Sequence, residues 1–166
     1  MATADNLKEA FAGESQANRT YLAFAKKADK DGLAQIAKLF RAAAAAETVH
    51  AHAHLKAMGG VKGTAENLQA AINGEGFEFQ EMYPKFLAEA EEEGAKAAVT
   101  SFEFAMAVEE IHHGLYGKAL ETLEAGGDME AAPISVCPVC GNTFVGDAPD
   151  KCPICATPKK MYMHIE

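Results

Sequence analysis

Residues 3–14 read TADNLKEAFAGE and residues 64–75 read TAENLQAAINGE, identical at seven of twelve positions with an offset of 61. Further along the offset becomes 62, pairing Tyr21 with Tyr83, Phe24 with Phe86, Gly32 with Gly94, Phe40 with Phe102, Glu47 with Glu109 and His50 with His112. The chain therefore carries two copies of one unit. The body through about residue 125 is rich in Ala, Glu, Lys, Leu and Met, which favour helix, and no proline precedes Pro84. Asp31-Gly32 in the first copy and Gly94 in the second interrupt the pattern, so each copy reads as a helical hairpin. The first helix is predicted over about Thr3–Lys30 and the second up to Met58, before Gly59 and Gly60. The third covers about Thr64–Glu93, and the fourth extends to about Glu124, before Gly126 and Gly127. Leu33, Ile36, Leu39 and Phe40 recur at helical spacing and are expected to face the core. The fold class is mainly α: a four-helix body over residues 1–131 with a small appendage over 132–166, too short to fold without help.

The helical rise of 1.5 Å per residue converts sequence distance into height along the hairpin. Glu14 lies 17 residues before Asp31 and Glu47 lies 16 after it, so their carboxylates meet at one level. Glu78 and Glu109 lie 16 before and 15 after Gly94. Glu14, Glu47, Glu75, Glu78 and Glu109 thus converge. Glu47-x-x-His50 and Glu109-x-x-His112 each add an imidazole one turn from a carboxylate on the same face, the arrangement by which carboxylate bundles hold two metals. Buried carboxylates need cations to offset desolvation, and an oxygen-rich shell suits iron or manganese better than copper. A single ExxH is usually surface decoration, but two copies at equivalent positions, each opposite a partner Glu, reverse that reading. His52, His113 and His164 read as surface or packing residues, and His54 matches Tyr116 in the repeat rather than a second histidine. Tyr21 and Tyr83, about two turns from Glu14 and Glu75, either hydrogen-bond the carboxylates or pack in the core.

The step from 61 to 62 places one extra residue in the third helix between Glu75 and Tyr83, and such insertions are commonly absorbed as a π-bulge. The insertion is expected to let this helix present both Glu75 and Glu78 where the first presents Glu14 alone.

All four cysteines lie in two CxxC pairs, Cys137/Cys140 and Cys152/Cys155. In a reducing compartment this spacing reads as a tetrahedral S4 site for iron or zinc. A neighbouring redox bundle favours iron over a structural zinc ribbon. The net charge of −9 argues against nucleic acid or an anionic membrane surface as partner. No stretch is apolar for the ~18 residues of a spanning helix, and the N-terminus lacks the pattern of a signal peptide, so the cytoplasm is expected.

With these motifs in place, namely GES at 13–15, ETVH at 47–50, GEGFEFQEMYP at 74–84, EEIH at 109–112, CPVCG and CPIC, the chain resembles the rubrerythrins over essentially its whole length. The resemblance implies a ferritin-like di-iron four-helix bundle followed by a rubredoxin-like Fe(Cys)4 domain of strands and loops. It implies Glu14, Glu47, His50, Glu75, Glu78, Glu109 and His112 as ligands of two irons, with Glu47 and Glu109 bridging, and Cys137, Cys140, Cys152 and Cys155 as ligands of a third. It further implies a cytoplasmic homodimeric peroxidase that reduces hydrogen peroxide to water. A rubredoxin or an NAD(P)H-dependent reductase would supply electrons, and the Fe(Cys)4 site would serve the bundle of the other subunit. A ferroxidase or iron-storage protein is the competing function; it would use the same bundle without needing delivered electrons.

Two features depart from the pattern. Ala156 stands where rubredoxin knuckles usually carry Gly, at a position that can require φ > 0. Ferritin-like folds normally use a long crossover between the second and third helices, yet only Gly59–Gly63 separates them here, and five residues cannot run the length of a bundle. Either the start of the third helix is unwound, or the second helix pair packs against the first pair of another chain, an exchanged dimer.

Overall fold

A computed structural model describes residues 2–166 of the chain. Helix α1 spans Ala2–Lys30 and α2 spans Ala34–Ala57. Asp5 in the first turn of α1 and Lys27 and Lys30 in its last complement the helix dipole. The turn between α1 and α2 closes on Gly32, whose φ of +77° a side-chain-bearing residue rarely adopts. Leu33 N–H then donates to the Ala28 carbonyl at 2.9 Å. The second copy repeats the device: Gly94 has φ +69°, and Ala95 N–H donates to Ala90 at 2.9 Å.

The third predicted helix is not one regular element. Helix α3 covers Thr64–Phe77, a π-helical turn follows over Glu78–Met82, and α4 runs Tyr83–Glu92. The extra residue counted from the repeat is thus absorbed where the offset changes, between Glu75 and Tyr83. Helix α5 covers Lys96–Glu124. Helix α3 is wound from Thr64, where Gly63 N–H donates to Glu66 Oε2 at 3.2 Å, so an unwound helix start does not resolve the short linker. No helix among the described residues is long and apolar enough to cross a membrane.

The chain divides into two compact units, one ending at Lys62 and the other running Gly63–Glu166. In the first, α1 and α2 meet along a seam of small residues: Ala25, Ala28, Ala37, Ala44 and Ala51 are buried. Asn18, also buried, donates from Nδ2 to the Ala44 carbonyl at 2.7 Å and to Thr48 Oγ1 at 2.8 Å. The expectation that Leu33, Ile36 and Leu39 face the core is corrected, since they are 48, 47 and 70% exposed. Helical periodicity identifies an apolar face without naming its partner, and within the hairpin the contact belongs to the alanines. Phe40 alone of that set turns partly inward, 5.5 Å from Phe24 between ring centroids.

In the second unit, α3, the π-turn and α4 pack on α5. A three-stranded antiparallel sheet follows, in the order β2-β1-β3, from β1 (Ile134–Val136), β2 (Thr143–Val145) and β3 (Met163–Ile165). Its core is Cys137, Cys152, Ala148 and Tyr162, with Cys140, Phe144, Ile154 and Cys155 against it. The only large apolar groups are Phe144 and Tyr162, stacked 4.9 Å apart, and Ile154. Half of this core is thiol, too little for stability without a metal.

Candidate metal centres

The structure places three of the predicted ligands together in each helical hairpin. In the first, His50 Nδ1 lies 2.9 Å from Glu47 Oε2 and 3.7 Å from Glu14 Oε1. In the second, His112 Nδ1 lies 2.9 Å from Glu109 Oε2 and 3.8 Å from Glu75 Oε2. Ligand atoms within each trio all fall within 4.8 Å of one another. The near-identity of the two sets is the repeat expressed in three dimensions: helix–turn–helix spacing sets the height, and the i, i+3 step puts each His over its Glu.

Glu78, the first residue of the π-turn, stands outside the second trio. It is still close enough that burial first, and then the charge of Glu109, push its carboxyl up, while His112 opposes this. Glu75 is pushed up to about 7 by burial, by its hydrogen bond with Glu109, and by the charges of Glu109 and Glu78. No lysine or arginine among the described residues pairs with Glu14, Glu47, Glu75 or Glu109. Carboxylates gathered without a protein cation, with Glu75 and Glu78 driven to hold their protons, form a site that a metal cation would neutralise. Oxygen donors with one imidazole per set fit iron.

Tyr21 and Tyr83 occupy equivalent aromatic trios, Tyr21-Phe24-Phe40 and Tyr83-Phe86-Phe102, with centroids 5.5 to 6.5 Å apart. Neither hydroxyl hydrogen-bonds a carboxylate among the described residues. Tyr83 nevertheless feels them: burial, then the charges of Glu78, Glu109 and Glu75, raise its phenol above the usual range. His113 packs edge-on against Phe79 at 5.4 Å, in keeping with a packing role. His54 is not part of the first trio.

The four cysteines converge as two matched knuckles. Gly141 N–H returns to the Cys137 carbonyl and Ala156 N–H to Cys152, both at 2.9 Å. Cys137 N–H donates to Asn142 at 2.9 Å and Cys152 N–H to Thr157 at 2.8 Å. Cys137 Sγ and Cys155 Sγ lie 3.4 Å apart, and Cys140 Sγ and Cys152 Sγ 3.5 Å. A tetrahedral ion with metal–sulfur bonds of about 2.3 Å separates its sulfurs by about 3.8 Å, so the cluster is sized for one ion. Burial pushes Cys140 up, and the neighbouring thiols add to this. At Cys152 burial is outweighed by the amides of Cys155 and Ile154, and at Cys155 by the hydroxyl and amide of Thr157, so both are lowered toward thiolate. Ala156 adopts φ +59°, the strained conformation expected at that knuckle.

Three residues escaped the sequence reading. Thr157 Oγ1 lies 3.1 Å from Cys155 Sγ, and the buried Asn142 directs Nδ2 toward Cys152 Sγ at 3.8 Å. Each sits two positions after a knuckle cysteine, a spacing that would have flagged them. Thr143, which meets His112, carries no such signal because its contact depends on how β2 packs on α5.

The family model described as rubrerythrin matches residues 5–120, and a second, the rubrerythrin rubredoxin-like domain, matches residues 136–163. Rubrerythrin-2 of Clostridium acetobutylicum is 34% identical, over 96% of this chain and 95% of that protein. Nigerythrin of Nitratidesulfovibrio vulgaris is 37% identical, over 97% and 85%. The solved structure of nigerythrin in a partially reduced state superposes with a TM-score of 0.60 at 35% identity, covering 98% of this chain and 86% of that one.

Proposed function

The chain belongs to the rubrerythrin family, an oxidoreductase family with iron at a carboxylate di-iron centre and at a rubredoxin-like cysteine site, and from that premise we propose that it reduces hydrogen peroxide to water. The observation that carries this reading is the pairing of two matched Glu-Glu-His sets with a four-cysteine site in one chain. Storage needs the first alone; a peroxidase needs both.

In this reading Glu14, Glu47 and His50, with Glu75, Glu78, Glu109 and His112, would hold two irons, and the four cysteines would hold the third. Iron supplies the electrons that reductive cleavage of an O–O bond requires. The chain's own residues do the rest. The carboxylates balance the charge of the metals, and the proton that Glu75 holds near neutral pH leaves when a cation arrives. Tyr83, held above its usual range in part by the charges of Glu78, Glu109 and Glu75, keeps its phenolic proton and is the proton donor assigned to the second hairpin. The lowered Cys152 and Cys155 favour thiolate at the electron-entry site.

The domains are taken as residues 1–131 and 132–166, the location as cytoplasmic, and the electron donor as a rubredoxin or NAD(P)H-dependent reductase. The assembly is taken as a homodimer in which helix pairs are exchanged. The six-residue linker, residues 58–63, to a fully wound α3 and the exposed Leu33, Ile36 and Leu39 of the first hairpin support exchange. The test is NADH-coupled peroxide turnover by iron-loaded wild type and Cys152→Ser under anaerobic conditions. Turnover that collapses in the variant supports the relay, and undiminished turnover rejects it.

A further inference from the structure

The second metal trio makes a contact that its repeat partner lacks. His112 Nε2 lies 2.9 Å from Thr143 Oγ1, a residue of β2 three positions after Cys140. The contact is braced on both sides. Thr143 is held opposite Val136 in the sheet, and a Cβ at Gly141 would stand 3.8 Å from Cγ1 of the buried Val108, so the first knuckle runs against α5. Meanwhile His112 Nδ1 faces Glu109 and Glu75 at 2.9 and 3.8 Å. The two ring nitrogens are therefore divided, one toward the carboxylates and one toward the hydroxyl. The hydroxyl proton has its own acceptor, since Thr143 Oγ1 donates to the Gly141 carbonyl at 3.4 Å, leaving a lone pair for an Nε2–H. His50 makes the same contacts through Nδ1 but has no hydrogen bond at Nε2 among the described residues.

We infer that Thr143 is a positioning residue for the carboxylate centre: it accepts the Nε2–H of His112 and fixes the tautomer whose bare Nδ1 is aimed at Glu75 and Glu109. A neutral imidazole can give a metal only the nitrogen without a proton, so a fixed acceptor at the far nitrogen selects both tautomer and ring orientation. The cysteine domain thus has a second role besides holding its own iron. It supplies the outer partner of a ligand in the helical domain, and it does so in one of the two half-sites.

The inference rests on the reading that His112 holds a metal through Nδ1, and the experiment separates the two. Full-length protein with its cysteine site iron-loaded is titrated anaerobically with ferrous iron, comparing wild type, Thr143→Val, Thr143→Ser, His112→Ala and the His112→Ala/Thr143→Val double variant. In zinc-loaded samples, side-chain nitrogen NMR reports the His112 tautomer and the exchange of its Nε2–H. Thr143→Val is expected to weaken the carboxylate site by about 10- to 100-fold and to expose the Nε2–H to fast exchange, as loss of an outer-shell partner does, with Thr143→Ser restoring both. In the His112→Ala background the valine is expected to cost nothing further. Should Thr143→Val lose the colour of the cysteine site, Thr143→Ser and the NMR tautomer of wild type carry the test. Wild-type affinity in Thr143→Val alongside weak binding in His112→Ala overturns the inference, as does an Nδ1–H tautomer in wild type. Unchanged binding in His112→Ala overturns the underlying ligand assignment instead.

Discussion

Deleting Gln80 removes one residue from the π-turn, at an exposed position. Helix α1 covers the equivalent stretch with one residue fewer and no π-turn, yet Glu14 lies 3.7 Å from His50 and Tyr21 6.3 Å from Phe40, against 3.8 Å for Glu75 and His112 and 6.0 Å for Tyr83 and Phe102. The π-turn therefore takes up the inserted residue without displacing its flanks, and the deletion is expected to leave Glu75 and Tyr83 where they are. The change falls inside the turn, on Glu78, which matches Ala17 of the first copy once the backbone is regular. One residue of helical rotation is about 100°, which moves a Cα at a radius of about 2.3 Å by up to about 3.5 Å. Metal ligands tolerate only about 0.2 Å, so Glu78 is expected to leave the carboxylate group while the Glu75, Glu109 and His112 set persists. The chain should keep the cysteine-bound iron and bind iron more weakly at the carboxylates. Anaerobic iron titration, read beside the visible spectrum of the cysteine site and the helical circular dichroism, measures this. A deletion variant with wild-type iron affinity would refute the claim that the inserted residue places Glu78.

Ala156→Gly relieves a φ of +59° and is expected to stabilise the cysteine domain by about 0.5–1 kcal/mol, the left-handed penalty less the unfolded-state entropy of glycine. Guanidinium denaturation followed at the thiolate band reads it, and a loss of stability contradicts the strain. In metal-free protein Glu75 is pushed up to about 7 when folded, against 4.5 for the ordinary group, so its contribution to stability is fully present below 4.5 and is lost as pH rises through 7. Thermal melts of metal-free wild type and Glu75→Gln should converge at the acid end and diverge toward neutrality with the glutamine variant higher; pH-independent separation counts against it. Helix-pair exchange predicts complementation: co-expressed Glu47→Ala and Glu109→Ala chains form a heterodimer in which one bundle inherits both defects and the other neither. Iron content and turnover should recover to half of wild type per mixed dimer, and no recovery in a purified heterodimer points to unexchanged hairpins.

What the sequence revealed and what it hid divide along the range of the interactions. The repeat with its change of offset located the turns at Gly32 and Gly94, the π-turn at Glu78–Met82 and both Glu-Glu-His sets, because each depends on residue counting within one hairpin. The strained Ala156 was legible for the same reason, as a knuckle is a local fold with one residue out of place. The orientation of Leu33, Ile36 and Leu39 was not, because spacing defines a face and only an assembled neighbour defines what covers it. Thr143 was hidden for the strongest reason: its partner His112 lies 31 positions earlier in another element, and nothing in CPVCGNT announces a contact with EEIH. The limit reached by sequence reasoning here is therefore the junction between elements, where the outer partner of His112 sits. Two Glu-Glu-His sets matched within their own hairpins become unequal there, through a hydroxyl that the helical repeat does not contain.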